Sequence, residues 1–198
     1  MIRAQLKGRD IKSSRVLNAF EQVDRAWFVP DDRKAEAYDD RPLPIGAGQT
    51  ISQPYIVAYM AQALNLRGSE SLLEIGTGCG YNAAILSRLV RKVYSVEYFE
   101  ELSMLARENL KKAGIDNVQI RQGDGYQGWP EMAPFDAIML TAAPPEVPKK
   151  LLEQLAIGGR LLAPVGRGFQ KLVLVTRTSN ADFSEKKLIP VQFVPMLK

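Results

Sequence analysis

The fold is decided by Glu74-Ile75-Gly76-Thr77-Gly78-Cys79-Gly80, which follows the apolar pair Leu72-Leu73 and precedes the helix-like residues 81–86. A glycine loop therefore lies between a predicted strand and a predicted helix. Glycines let the backbone pass close to a ligand, because a Cβ at those positions would collide with it or forbid a positive φ. The helix behind the loop offers free N–H groups and the positive end of its dipole. This arrangement predicts a nucleotide-type binding site at Gly76, Gly78 and Gly80.

The acid ahead of the glycines indicates which ligand the loop binds. A dinucleotide loop carries its third glycine one residue later, where this chain has Tyr81. The pattern acid-x-Gly-x-Gly-x-Gly instead resembles the loop of S-adenosylmethionine methyltransferases. A pyrophosphate requires N–H donors, whereas S-adenosylmethionine carries a sulfonium and an ammonium group. The carboxylate of Glu74 suits the cationic ligand better.

Two further acids follow predicted strands. Residues 92–97 end in Glu97, about twenty residues beyond the first glycine, which is the spacing at which a carboxylate meets ribose hydroxyls. The next strand leads to Gly123-Asp124-Gly125, and we expect Asp124 to accept a hydrogen bond from an adenine amino group. Each acid alone is a weak signal, since an acid at a strand end is often only solvated. Three acids that all lie at the carboxyl ends of parallel strands favour a binding site, because those ends meet at one edge of the sheet.

The composition favours one soluble domain. With 198 residues and an apolar fraction of 46%, the chain can bury one sizeable core. We divide it into an N-terminal elaboration, residues 1–66, and a core, residues 67–198. One cysteine, no charged-then-apolar leader and no apolar run near the ~20 residues of a membrane span predict a cytoplasmic protein without membrane contact. Basic residues are interleaved with acids within the net charge of +4, so no nucleic-acid partner is expected.

The residue inventory limits the chemistry. Histidine is absent, which removes the usual general base and the commonest metal ligand, and we expect no metal site. Cys79 has no histidine to activate it and lies within the glycine loop, so we interpret it as a small packing residue. A catalyst built from these residues depends on positioning, which suits methyl transfer to an oxygen that is already ionised.

Strand and helix patterns alternate from residue 71 onward. Near-continuous apolar strands separated by helices predict an α/β, Rossmann-like, doubly wound and mostly parallel sheet covered on both faces. Polar residues 179–182 join the last two strands without a helix, which predicts an antiparallel C-terminal strand in a seven-stranded sheet. The N-terminal elaboration is predicted to contain helices over 10–24 and 54–64 and a loop of extended and turn conformations over 41–48. The predicted strands are 71–75, 92–97, 118–122, 135–141, 159–165, 171–178 and 188–194, and the predicted core helices are 81–90, 99–113 and 148–156.

Motifs outside the glycine loop carry a family resemblance over almost the whole chain. Methyltransferases in general share only the loop and the acids. The segment Gly48-Gln49-Thr50-Ile51-Ser52-Gln53-Pro54, in contrast, resembles one specific to the protein-L-isoaspartate O-methyltransferases. Residues 25–30 are also similar, although Asp24 stands where a proline is common. The other matching segments are Pro42-Leu43-Pro44-Ile45-Gly46, Pro134-Phe135-Asp136-Ala137-Ile138, Thr141-Ala142-Ala143, Gly158-Gly159-Arg160, Pro164-Val165-Gly166 and Phe193-Val194-Pro195.

The resemblance implies a repair enzyme. Members of that family methylate the free α-carboxylate of L-isoaspartyl residues in proteins and peptides. S-adenosylmethionine is the methyl donor and S-adenosyl-L-homocysteine the product, and the methyl ester then closes to a succinimide. The resemblance also implies that Ser52 is the active-site residue, that Thr50 and Ile51 lie over the cofactor, and that the protein is a monomer. Because the chain ends soon after Met196, we expect any cofactor-covering tail to be minimal.

Three alternatives remain open at this point. Ser52 could simply cap the helix that Gln53-Pro54 opens, since serine is a favoured N-cap. The acceptor could be a small molecule or RNA, although no Asn-Pro-Pro-Tyr-like amine-acceptor motif occurs at Thr141-Ala142-Ala143-Pro144. The fold could also serve a binding protein without activity, against which the intact acids argue.

Overall fold

The computed structural model describes residues 1–198 and begins with short helical elements that surround a hairpin. Helix α1, Ser14–Gln22, starts at Ser13, whose hydroxyl accepts from the Val16 N–H at 3.4 Å. Strands β1, Leu43–Gly46, and β2, Gln49–Ile51, pair antiparallel. Helix α2, Pro54–Leu64, has proline at its first turn, where no N–H is needed. Short helical segments cover Ile2–Lys7, Arg25–Phe28 and Asp31–Glu36.

The rest of the chain alternates strands and helices around one sheet. Its elements are β3, Ser71–Ile75; α3, Tyr81–Ser87; β4, Lys92–Glu97; α4, Glu100–Lys112; β5, Val118–Gln122; β6, Phe135–Leu140; α5, Lys149–Glu153; β7, Leu155–Val165; β8, Gln170–Arg177; and β9, Phe183–Val191. Single turns at Gly125–Gln127 and Pro130–Met132 follow β5.

The seven-stranded sheet has the order β5-β4-β3-β6-β7-β8-β9. The first five of these strands run parallel, and the pairs β7–β8 and β8–β9 are antiparallel. The chain moves outward from β3 to β5 and then returns to place β6 on the other side of β3. Such a reversal leaves a crevice at the carboxyl ends of the two central strands, which is where ligands bind in open α/β sheets.

Apolar side chains fill both faces of the sheet. A larger cluster of 38 buried residues joins one face to α1, α2, α3 and α4. A smaller cluster of 14 residues lies on the opposite face with α5. The predicted Rossmann-like, mostly parallel sheet is confirmed, including the antiparallel end. No helix of the structure has the length and apolar character needed to cross a membrane.

Several predicted bounds differ from the structure: α3 ends at Ser87, α5 ends at Glu153 and β7 begins at Leu155, instead of at residues 90, 156 and 159. The first helix begins at Ser14 instead of residue 10, because the Asp10 carboxylate accepts from the Tyr55 hydroxyl at 2.8 Å instead of capping a helix. The extended and turn conformations predicted at residues 41–48 are confirmed, since this segment contains β1 and a tight turn in which Ala47 and Gly48 have φ of 50° and 68°. The last strand lies at Phe183–Val191, earlier than predicted, because its pairing with β8 starts directly after the turn.

Candidate functional site

A cleft lies at the crevice between β3 and β6. The ends of the central strands line it, together with residues of the β1–β2 hairpin and of the C-terminal segment. The sequence-predicted residues that line it are Thr50, Gly76, Gly78, Glu97 and Gly125. It is also lined by Gln49, Ile75, Val96, Tyr98, Phe99, Thr141, Ala142, Val194, Pro195, Met196 and Leu197.

The glycine loop is bent by residues in the left-handed region. Gly76 has a φ of +97°, and its carbonyl accepts from the Thr141 hydroxyl at 2.5 Å. A Cβ at Gly76 would overlap that hydroxyl. Gly78 has a φ of +55°, and a Cβ there would press on Ile45 of the hairpin at 3.2 Å. The positive φ at both positions favours glycine, and the contact with Thr141 excludes a Cβ at Gly76.

Glu97 places a carboxylate in the cleft at the end of β4. It is 4% exposed, and its two oxygens accept from the Gly78 N–H at 2.8 Å and the Phe99 N–H at 3.0 Å. Burial raises the pKa of Glu97 above its usual value, and the backbone donors oppose that rise. Each oxygen retains a further lone pair, so Glu97 can also accept from the hydroxyls of a bound ribose. The structure thus brings Glu97 to the place that the spacing predicted.

Glu74 lies beneath the glycine loop and is not among the residues that line the cleft. Its carboxylate is fully buried and accepts from Asn82 Nδ2 at 2.7 Å and from the Ser95 hydroxyl at 2.5 Å. Ser95 also contacts the Thr77 hydroxyl at 2.6 Å, so the carboxylate supports the glycine loop through Ser95. Burial raises the pKa of Glu74 to about 7. Its position is one residue before the end of β3, and its side chain faces the interior.

Three other predicted contacts also lie outside the cleft lining. Gly80 opens α3 with a φ of +90°, and a Cβ there would press on Ala106 of α4 at 3.3 Å, so close packing explains this glycine. Ile51 is a buried core residue opposite Leu43 in the hairpin. Asp124 is at the rim, where its oxygens accept from the backbone N–H of Tyr126 and the side-chain amide of Gln127.

The C-terminal residues form one wall of the cleft. The Val194 carbonyl accepts from the Ala143 N–H at 2.8 Å, and the Met196 N–H donates to the Ala143 carbonyl at 2.9 Å. A Cβ at Gly125 would lie 2.5 Å from Ile75 and 3.1 Å from Met196, so only glycine fits between the wall and β3. Residues 194–197 therefore line the cleft beside β3.

A second recess adjoins the cleft and contains Ser52. The two share Thr50, Thr141, Val194 and Pro195 as lining residues, so the exposed Thr50 side chain lies at their junction. Ser52 is partly exposed, and its hydroxyl makes no hydrogen bond in the structure. The N-cap of α2 is Gln53, and no side chain caps this helix. The capping alternative for Ser52 is therefore wrong, and its hydroxyl is free to bind a ligand in the recess.

Burial makes Cys79 unsuited to nucleophilic chemistry. The thiol is 2% exposed, and burial raises its pKa to about 11. Because the thiolate is the reactive form, Cys79 is essentially unreactive at neutral pH. This agrees with its interpretation as a packing residue.

Sequence reasoning missed several cleft residues. Tyr98 and Phe99 directly follow β4, and Thr141 follows β6. Their position just beyond the carboxyl ends of central strands was a usable signal, since those ends meet at one edge of a parallel sheet. Thr141 also clamps the end of β3, because its hydroxyl reaches the carbonyls of Ile75 and Gly76.

Comparison with a family model identifies the chain over its whole length. Residues 1–198 match the model described as Protein-L-isoaspartate(D-aspartate) O-methyltransferase. A Pelobacter propionicus protein named Protein-L-isoaspartate O-methyltransferase 2 is 53% identical, covering 100% of this chain and 88% of its own length. A Synechococcus protein-L-isoaspartate O-methyltransferase is 52% identical, covering 100% of this chain and 84% of its own.

Solved structures give the same result. A protein-L-isoaspartate O-methyltransferase structure superposes with a TM-score of 0.89 at 30% identity. The match covers 98% of this chain and 65% of that longer one. A Plasmodium falciparum structure described as a protein-L-isoaspartate O-methyltransferase superposes with a TM-score of 0.88 at 28% identity, covering 99% and 96% of the two chains. That structure was determined in complex with S-adenosyl-L-homocysteine.

Proposed function

Because the chain belongs to the protein-L-isoaspartate(D-aspartate) O-methyltransferase family, we propose that it methylates the free α-carboxylate of L-isoaspartyl residues in proteins and peptides. S-adenosylmethionine is the methyl donor and S-adenosyl-L-homocysteine the product. One observation carries the assignment of roles: Thr50 lies at the junction of two adjoining recesses, one with Glu97 and the other with the free hydroxyl of Ser52. A donor and an acceptor bound in these recesses would meet at that junction.

The cleft suits a nucleoside-containing donor. Gly76, Gly78 and Gly125 add no side chain to the cleft, and Glu97 supplies an acceptor for ribose hydroxyls. Val96, Phe99 and Met196 offer apolar surface on which a purine ring can pack. When bound there, S-adenosylmethionine supplies a methyl carbon activated by its sulfonium. We assign Glu74 an indirect role, because its buried carboxylate supports the loop and adds negative charge below a cationic ligand.

The recess beside the cleft suits a carboxylate acceptor. The Ser52 hydroxyl can donate to one carboxylate oxygen and leave the other free to attack. A carboxylate with a pKa near 4 is already ionised at neutral pH, so no general base is needed. The protein then contributes alignment and the exclusion of water, which can lower a barrier substantially without acid–base chemistry. This matches a chain without histidine.

Acceptor class is tested with radiolabelled S-adenosylmethionine. The protein is incubated with an isoaspartyl peptide, with total RNA and with a small-molecule extract in separate reactions. We expect base-labile methyl esters on the peptide only. Label in RNA or in a small molecule, with none in the peptide, would replace the repair function with the alternative acceptor class.

A further inference from the structure

We propose that Arg25 is a positioning residue that fixes the Ser52 backbone and so sets the acceptor recess, an inference that rests on the proposed function. Arg25 is completely buried and is among the largest fully buried side chains of the protein. None of the eight ion pairs in the structure includes it. Its guanidinium therefore stays in the interior without a carboxylate partner.

Three backbone carbonyls receive the guanidinium. Nε donates to Ala37 at 2.9 Å, Nη1 to Ser52 at 2.8 Å, and Nη2 to Arg41 at 3.5 Å. Ala37 directly follows the helical segment Asp31–Glu36, Arg41 lies two residues before β1, and Ser52 directly follows β2. The planar guanidinium presents its N–H donors in several fixed directions and so reaches three carbonyls on separate segments, whereas the three donors of a lysine ammonium converge on one nitrogen.

A packing role alone does not explain a cation at this position. Burial lowers the pKa of Arg25, because the charged form loses its hydration. An aliphatic side chain of similar length would fill the space without that penalty. What an aliphatic residue would not provide is donors for the three carbonyls, so the specific contribution of Arg25 is to hold them in place.

The hydrogen bond from Arg25 is the only hydrogen bond that Ser52 makes in the structure. Ser52 makes no hydrogen bond to another backbone group, because it lies after Ile51, the last paired residue of the hairpin, and before Gln53, the N-cap of α2. Arg25 thus fixes the Ser52 peptide plane from the interior side. The hydroxyl has no hydrogen-bond partner, and Ser52 is one of the residues that line the acceptor recess.

Arg25 also contacts the helix that follows the glycine loop. Its Cζ lies 5.0 Å from the centroid of the Tyr81 ring, and Tyr81 is the first residue of α3, directly after Gly80. The Tyr81 ring packs in turn against Phe20 and Phe28 at centroid distances of 6.2 and 5.6 Å. The guanidinium therefore lies between the two segments whose relative position aligns acceptor and donor.

The test compares Arg25→Lys with Arg177→Lys as a matched control. Arg177 likewise donates to backbone carbonyls, those of Glu153, Leu155, Ser179 and Asn180, but at the opposite end of the sheet from the cleft. For Arg25→Lys we expect kcat/KM for an isoaspartyl peptide to fall roughly tenfold or more, as for the loss of a hydrogen bond to a charged group. S-adenosyl-L-homocysteine affinity should stay within about twofold. Arg177→Lys should leave both unchanged.

A double-mutant cycle with Ser52→Ala separates positioning from general stability. If Arg25 acts through Ser52, the loss caused by Arg25→Lys should largely disappear in the Ser52→Ala background. Additive losses, or an equal loss in the Arg177→Lys control, would overturn the proposal. Arg25→Met, which also removes the buried charge, replaces Arg25→Lys in the same cycle if the lysine variant fails to fold.

Amide hydrogen exchange provides a readout that needs no acceptor. We expect faster exchange at residues 49–53 in Arg25→Lys and unchanged exchange in the glycine loop, with no change at either place in Arg177→Lys. Unchanged exchange at 49–53 would overturn the role of Arg25 even in a fully active enzyme. An inactive parent protein with the expected exchange pattern would overturn the proposed function and leave the positioning of Ser52 by Arg25 intact.

Discussion

Glu74→Gln should stabilise the folded protein at neutral and alkaline pH. Burial raises the pKa of Glu74 from 4.5 to about 7. Below about pH 4.5 the group is protonated in both states and contributes no penalty. As the pH rises from 4.5 towards 7, the unfolded chain releases this proton first, so the free energy of unfolding falls. Above about pH 7 both states are ionised, and the loss is constant at roughly 3 kcal/mol, given 1.36 kcal/mol per pH unit.

The amide can replace the carboxylate within the same hydrogen bonds. The glutamine oxygen can accept from Asn82, and its NH2 can donate to the Ser95 hydroxyl. Ser95 can then donate to Thr77, because either hydroxyl of that pair can be the donor. Glutamine is neutral and does not incur the cost of burying a charge. We therefore expect the variant to be more stable than the parent, by about 1 kcal/mol near pH 5.5 and about 3 kcal/mol near pH 8.

Urea unfolding of parent and variant at both pH values measures this difference. Glu108→Gln is the control, since Glu108 is an exposed residue of α4 and should show no such pH-dependent gain. A Glu74→Gln variant that is less stable than the parent near pH 8, or a difference that does not change with pH, would refute the reasoning. Either result would mean that Ser95 and Asn82 stabilise the ionised carboxylate more than burial destabilises it.

Three further predictions concern the cleft and its neighbouring recess. Glu97→Ala should weaken S-adenosylmethionine binding, because each charge-assisted hydrogen bond to a ribose hydroxyl contributes roughly 1.5 to 3 kcal/mol; an unchanged dissociation constant by calorimetry in a folded variant would show that Glu97 makes no such contact. Ser52→Ala should reduce turnover while S-adenosyl-L-homocysteine affinity and the melting temperature remain close to the parent, since the hydroxyl has no partner in the fold. Full turnover would remove Ser52 from the acceptor site. Gly76→Ala should abolish cofactor binding, because the new Cβ would overlap the Thr141 hydroxyl and the φ of +97° disfavours alanine. Wild-type affinity measured by calorimetry for this variant would contradict the loop geometry described above.

Central strands were the most predictable part of the fold. The predicted bounds of β3, β4 and β5 match the structure. β3 is a short apolar run that ends at the glycine loop, whereas β4 and β5 alternate apolar and polar residues, as half-buried strands do. Helix α2 also has its predicted bounds, since Pro54 fixes the start and Asn65 ends it in the left-handed region with φ of 49°. In these places local sequence and tertiary packing require the same structure.

The direction of side chains within buried strands was harder to predict. β3 is buried on both faces, so its apolar pattern does not tell which face Glu74 occupies, and the acid lies below the loop instead of in the cleft. Thr50 and Ile51 could have been separated, because strand alternation places neighbouring side chains on opposite sides of the hairpin. The alternation of side chains along β2 would have predicted that Thr50 is exposed and Ile51 is buried, whereas the family motif treats the two residues alike.

Contacts between distant segments were not accessible from the sequence. Arg25 lies 27 residues before Ser52, and nothing in the local pattern shows that the hairpin closes over it. Arg25 begins the short helical segment Arg25–Phe28, and an arginine at such a place is ordinarily solvated. Its complete burial depends on the packing of several helical segments together, which only the three-dimensional structure reveals.

Selectivity for the isoaspartyl linkage tests the central claim most directly. Two peptides that differ only in an isoaspartyl or a normal aspartyl linkage are incubated with the protein and labelled S-adenosylmethionine, and base-labile methyl esters are counted over time. The account predicts esterification of the isoaspartyl peptide and none above background for its aspartyl twin. Equal labelling of both peptides would contradict an acceptor recess that selects the isoaspartyl α-carboxylate.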